Sequence, residues 1–305
     1  MLREKVSYTK EIEWEEYFLP QNVDEALDIL EKYRGTARII AGGTDIVPAS
    51  RKGQMDIKAV VDITNIKGLN FLSLEDATVR IGPLVTHTQV ARSSLIREKG
   101  MALAEGASRV GSPQVRNVGT VAGNIINAQP GADTVIPLIA LDGSVTVKSK
   151  QAERTIPLIN LFTGIGKTII DSTKEIVTSI SFPALGEGEA SAAVRLAKRK
   201  TLVLPVLTVA VKITLDDEKK IFVGAVIAAG PVATTPFRCS GAERLLIGSH
   251  VNSESIRGVA QEAAKEAKPR TSLLRGTSEY RKAMVEVLVE RAIKIALKRM
   301  EGSNG

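Results

Sequence analysis

The chain has 305 residues, 44% hydrophobic and 25% charged, with a formal net charge of +7. No apolar run approaches the ~20 residues that span a bilayer, and the mixed-charge stretch from Met1 to Glu16 excludes a secretory signal, so the cytoplasm is the expected location. A single cysteine, Cys239, excludes internal disulfides and any zinc or iron–sulfur site held by several thiolates. Basic and acidic residues interleave and aromatics make up only 4%, so the surplus charge reads as solvated surface and no nucleic-acid partner is expected.

The N-terminal third alternates helix and strand. Asn22 can cap a helix with Glu25 reaching back, and Val23, Ala26, Leu27 and Leu30 recur at helical spacing. Gly35 ends that helix. Residues 38–41 then read as a short buried strand running into Ala41-Gly42-Gly43-Thr44-Asp45, and residues 59–63 as another strand. Together they form an expected first α/β subdomain, residues 1–75. A second, residues 76–185, opens with a strand at 78–82 and helices at 89–97 and 102–109. A second glycine stretch follows, Gly119-Thr120-Val121-Ala122-Gly123-Asn124, with Asp133 nine residues beyond it. Strands are expected at 144–148, 175–182 and 192–197. Gly186-Glu187-Gly188-Glu189 is an exposed connector and domain boundary. Residues 206–215 and 221–228 form an expected antiparallel pair, and 253–267 and 280–300 are long amphipathic helices. Strands followed by helices predict an α+β C-terminal domain over 190–305.

The two glycine segments carry the chemistry. Glycine lets backbone approach a ligand closely, and closely approached backbone offers N–H donors to phosphate oxygens. Two such segments suggest a ligand with two phosphates, gripped from two sides. Gly42 and Gly43 would do this with Thr44, whose hydroxyl is a further donor. Thr120, Gly123 and Asn124 would approach from the other side, and Asp133 is an acceptor suited to ligand hydroxyls. Plainer readings stand beside these. Gly42-Gly43 alone is an ordinary turn, Asp133 can simply cap a helix over 134–141, and Asp45 reads as a loop or cap residue. His87, flanked by Thr86 and Thr88, reads as a surface or capping histidine, with approach to a cofactor as the alternative. No Ser/His/Asp or Cys/His set stands out.

The glycine segments, the continuation over residues 127–141 and the Tyr17-Phe18-Leu19-Pro20 start resemble the FAD-binding medium subunits of molybdenum hydroxylases. This family includes carbon monoxide, nicotinate and xanthine dehydrogenases. The resemblance spans nearly the whole chain and implies a two-subdomain FAD-binding fold of the vanillyl-alcohol-oxidase/PCMH type followed by an α+β domain. It implies noncovalent FAD, held by Ile39, Ile40, Ala41, Gly42, Gly43, Thr44, Asp45 and Ile46 on one side. Thr120, Val121, Ala122, Gly123, Asn124 and Asp133 would hold the other, with no histidine or cysteine beside the loops to link the flavin. Val110 and Val177 would pack on the flavin rings, and Arg195, where relatives often carry lysine, would place a cation near the pyrimidine end. It further implies a small 2Fe–2S subunit, a large molybdenum-cofactor subunit and an external electron acceptor, NAD or a quinone. The single cysteine leaves no room for the extra cluster loop of the benzoyl-CoA reductase branch. Two positions depart from the family pattern: Ala122 stands for a glycine, and Val203 for a frequent acid. Other readings are a stand-alone NAD(P)H-dependent reductase of the same fold, a flavin-free scaffold, and a basic nucleic-acid binder.

Overall fold

Three short parallel strands, β1 (Glu16–Phe18), β2 (Ala37–Ile40) and β3 (Ala59–Asp62), form the first sheet in the order β1-β3-β2. The computed structural model describes residues 14–199, 204–273 and 275–302, so Val203 lies outside the described residues. Central β3 buries Ala59, Val60 and Val61 in succession, the continuous apolar run of a parallel strand covered on both faces. Helix α1 (Val23–Lys32) joins β1 to β2 and buries Ala26, Leu27 and Leu30. Asn22 Oδ1 accepts from the Glu25 N–H at 2.8 Å, while the Glu25 carboxylate accepts from the Gln21 N–H, one residue before the cap itself. A further helix, α2 (Ile46–Arg51), follows the first glycine segment.

Strands β4 (Leu72–Glu75) and β5 (Thr78–Ile81) pair as a hairpin and begin the second sheet. Asp76 and Ala77 both have positive φ, the turn geometry that suits a tight hairpin. Residues 72–75 therefore belong with the second sheet, and the chain leaves the first one after Asp62. Six helices follow: α3 (His87–Arg92), α4 (Ser94–Lys99), α5 (Met101–Ser108), α6 (Pro113–Val118), α7 (Val121–Ile126) and α8 (Val135–Ala140). The single helix expected over 89–97 breaks at Ser93, which takes an extended conformation and caps α4 by accepting from the Ile96 N–H at 3.2 Å. Then come β6 (Ser144–Lys148), β7 (Glu153–Pro157), a ribbon of β8 (Phe162–Gly164) and β9 (Lys167–Thr168), and β10 (Ile176–Pro183). The five-stranded sheet runs β4-β5-β10-β6-β7.

The last unit is an antiparallel sheet, β11 (Glu189–Leu196), β12 (Leu207–Leu215), β13 (Phe222–Gly230) and β14 (Phe237–Arg238), in sequential order. Helices α9 (Ser240–Leu246), α10 (Ser253–Glu266) and α11 (Ser278–Gly302) cover one face. There Val194, Val209, Val211 and Ile227 share a core with Val259, Leu288 and Ile293. Ala193, Ala210 and Ala228 stand in register across the opposite face and join the core of Leu103, Ala107, Ile136 and Leu138 from α5 and α8. Small side chains in a row let those helices press close, so the C-terminal sheet is buried on both sides and fixed against the second unit. Cys239 is fully buried in the C-terminal core, and that burial raises its thiol pKa, which makes it an inert packing residue. Among the described residues no helix is long and apolar enough to cross a membrane.

Candidate functional site

The first glycine segment leaves β2 and enters α2 with a row of unused donors. None of the backbone N–H groups of Gly42, Gly43, Thr44, Asp45 and Ile46 donates to a group among the described residues; the next N–H, of Val47, goes to the Gly43 carbonyl at 3.1 Å. Gly43 sits at φ +67°, where a side chain is strained. Gly42 meets the second segment: a Cβ there would lie 1.9 Å from the Val118 carbonyl oxygen and 2.9 Å from the Gly119 nitrogen. The two subdomains thus touch backbone to backbone at the glycines.

The second segment is the first turn of α7 rather than a loop. Thr120 Oγ1 caps that helix by accepting from the Gly123 N–H at 3.0 Å, and the Val121 N–H donates to the Val85 carbonyl at 3.2 Å. The Ala122 N–H is the first-turn donor left without an acceptor among the described residues. Asn124 Oδ1 accepts from the Thr134 hydroxyl at 2.6 Å, tying α7 to the start of α8. Asn127 Nδ2 donates to Asp45 Oδ1 at 2.9 Å across the subdomain boundary. Burial raises the Asp45 carboxyl above its ordinary pKa, against a smaller pull from the Thr44 hydroxyl.

A cleft runs between the subdomains as two lobes of about 510 and 550 Å3, which share Ile39, Ala41, Thr44, Thr120 and Gly123. The first lobe reaches Val110, Asp133, Leu204, Pro205 and Arg275; the second reaches Ile63, Ile126, Ile176 and Val177. His87 lines the first lobe and is 2% exposed, which overturns its reading as a surface histidine. The cap of α3 is Thr86, with Gln89 completing a capping box. Burial, helped by the nearby Arg116 guanidinium, lowers the His87 pKa to about 4, so its ring is neutral. Asp133 does not cap α8; Thr134 holds that position, and Asp133 Oδ1 accepts from Arg195 Nε at 2.9 Å in a buried pair.

Residues 10–185 match the family described as the FAD binding domain in molybdopterin dehydrogenase, and residues 192–296 match the CO dehydrogenase flavoprotein C-terminal domain. The chain belongs to the FAD-binding subunits of the molybdopterin dehydrogenases. It is an oxidoreductase subunit whose cofactor is FAD. The nicotinate dehydrogenase FAD-subunit of Eubacterium barkeri is 30% identical over 295 residues, covering 94% of this chain and 97% of its own. A structure of carbon monoxide dehydrogenase from Hydrogenophaga pseudoflava, lacking the Mo-pyranopterin moiety of its cofactor, is similar at a TM-score of 0.89. It shares 28% identity over 95% of this chain and 99% of the matched one. Quinoline 2-oxidoreductase from Pseudomonas putida 86, at 21% identity and a TM-score of 0.87 over 95% of this chain and 99% of that one, shares the fold.

In this FAD subunit, Ile39, Ile40, Ala41, Gly42, Gly43, Thr44, Asp45, Ile46, Val110, Thr120, Gly123, Asn124 and Asp133 all line the first lobe. Ala122 and Val177 line only the second, so Val110 and Val177, both expected on the flavin rings, stand in opposite lobes. Val121 lines neither, being fully buried in the core with its N–H already used. Arg195, expected as a cation near the pyrimidine end of the flavin, lines neither as well and donates to Asp133. His87 was read as a cleft residue only in second place, and Asn127 was missed. The signal for His87 was available in the Thr86–Gln89 capping pattern, which places it at the first helical position, but not in its type.

Burial pushes the Asp133 carboxyl up to about 6, against the pull of the Arg195 guanidinium. The unfolded chain releases this proton near ~4, so between those values the folded state binds more protons than the unfolded one. The group therefore favours folding most below about pH 4 and loses that contribution as pH rises to about 6. Asp133→Asn is expected to flatten the apoprotein's stability–pH curve across that window by up to ~3 kcal/mol, read by urea unfolding. An unchanged slope would refute the assignment.

Proposed function

We propose that this subunit holds one noncovalent FAD along the two-lobed cleft, with the pyrophosphate at the glycine contact, and relays electrons from 2Fe–2S clusters of a small subunit to an external acceptor. The observation that carries the reading is the donor set. Five consecutive N–H groups from Gly42 to Ile46, joined by that of Ala122, have no acceptor among the described residues, and their residues line the two adjoining lobes. Such a nest suits a doubly charged pyrophosphate, which offers only acceptor oxygens. The lobes on either side then take the two ring systems. Val110, Asp133 and Leu204 suit the isoalloxazine and ribityl end, where hydroxyls meet a carboxylate; Ile63, Ile126, Ile176 and Val177 make an apolar slot for adenine. Ala122 lines that second lobe. Bound FAD supplies the exchange between one-electron and two-electron carriers. Substrate oxidation would belong to a large molybdenum-cofactor subunit, and the acceptor would be NAD or a quinone.

The chain purified without partners is expected to show flavin absorbance near ~450 nm, to release the flavin on denaturation, and to oxidise no purine, nicotinate or carbon monoxide by itself. A colourless folded protein that takes up no added FAD would favour the scaffold reading, and turnover by the isolated chain would refute the subunit role.

A further inference from the structure

We propose that His87 is a ligand-contacting residue of this cleft: its neutral imidazole donates a ring N–H to a phosphate oxygen of the bound dinucleotide beside Gly119. The inference rests on the reading of the cleft as the FAD site. Its backbone position is set by the second glycine segment itself. The His87 N–H donates to the Gly119 carbonyl at 3.1 Å and the Val121 N–H to the Val85 carbonyl at 3.2 Å, with Thr86 facing Thr120 in an isolated antiparallel bridge. The pairing that fixes the first turn of α7 therefore fixes His87 as well. Thr88 Oγ1 adds a bond to Asn117 Oδ1 at 2.7 Å, holding α3 against α6.

The ring is also aimed. A Cβ built on Gly119 would lie 3.5 Å from His87 Cδ2 and 3.5 Å from Thr44 Oγ1, so the imidazole edge and the threonine hydroxyl close on one point from the two subdomains. That point adjoins the row of unused N–H donors. His87 Nδ1 is enclosed and has no hydrogen-bond partner, and the ring bonds to nothing among the described residues. Nε2, beside the Cδ2 edge that approaches Gly119, is the ring nitrogen left open to the cleft. Arg116 donates to the Val110 carbonyl at 3.0 Å and the Gly111 carbonyl at 3.3 Å, and its nearby positive charge disfavours a second one on the ring. A neutral imidazole keeps one N–H donor, and a phosphate oxygen is the acceptor-only group that matches it.

The chain carries only two histidines, His87 and His250, which makes a direct test practical. In full-length protein with 15N-labelled histidine, assigned through His250→Gln, FAD is expected to move the His87 ring resonances and leave those of His250 in place. His87→Phe is expected to weaken FAD binding about tenfold, and His87→Asn or His87→Gln to recover most of that loss while riboflavin, which has no phosphate, binds all variants alike. Bound FAD with unmoved His87 resonances would overturn the proposal and leave the FAD site standing, as would wild-type FAD affinity in a folded His87→Phe. Flavin that stays attached after denaturation would overturn it in favour of a covalent bond. Wild-type protein that binds no FAD would instead bring down the reading beneath it. Should His87→Phe fail to fold, the resonances of the wild-type ring decide alone.

Discussion

Gly42→Ala is expected to abolish flavin retention and to lower apoprotein stability by ~3 kcal/mol or more, the upper range for forcing extra volume into a close-packed contact. The added methyl would lie 1.9 Å from the Val118 carbonyl oxygen, a backbone atom that cannot swing aside as a side chain does. The two subdomains must separate, and the Asn127–Asp45 bond that spans them separates with them. Gly43→Ala should cost less, ~1–2 kcal/mol, because its penalty is the positive φ rather than a backbone collision. Gly123→Ala is the useful contrast: its Cβ meets only Thr120 Oγ1 at 3.2 Å and its backbone is helical, so the fold should persist. Thermal unfolding and flavin content of the three variants check the ranking. A Gly42→Ala protein with wild-type melting and full flavin would show that the glycine contact does not join the subdomains.

Much of this was legible in the chain because the decisive signals are local. Asn22 with Glu25, the apolar strands over 207–215 and 222–230, and the glycine segments announce themselves by type and spacing. What the sequence hid depends on contacts far apart in the chain. Gly42 reads as one of two flexible glycines feeding a phosphate loop; only its partner, 76 residues downstream, shows that it is there so that backbone can touch the Val118 carbonyl. Gly123 reads as a loop glycine because a six-residue helix is too short to display a hydrophobic period. The β4–β5 hairpin turns on Asp76-Ala77 at positive φ, where no glycine marks the turn, so the strand over 72–75 went unread. His87 looked exposed because both sequence neighbours are threonines, yet it is buried on a helix that packs against α5 and α6.

The second large effect should appear at the buried pair between α8 and the C-terminal sheet, and it should be asymmetric. Asp133→Ala is expected to cost ~3–5 kcal/mol, because it takes from the Arg195 guanidinium, only 7% exposed, the carboxylate that balances its charge. A guanidinium cannot shed its proton to escape that penalty. Arg195→Ala is expected to cost clearly less, since the partner has such an escape. Burial already raises the Asp133 pKa to about 6, and removing the guanidinium that holds it down raises it further. At neutral pH the orphaned carboxyl takes up a proton and becomes a neutral hydrogen-bonding group. The same reasoning revises the expected redox effect. With the pair intact the first lobe faces no net charge from it; Asp133→Ala removes the negative member of the pair and should raise the flavin potential, whereas Arg195→Ala leaves a neutral acid and should shift it little. Urea unfolding at neutral pH and redox titration of the two variants read both asymmetries. Equal destabilisation, or a larger loss for Arg195→Ala, would show that Asp133 remains ionised without its partner and that the pair is not what sets its charge.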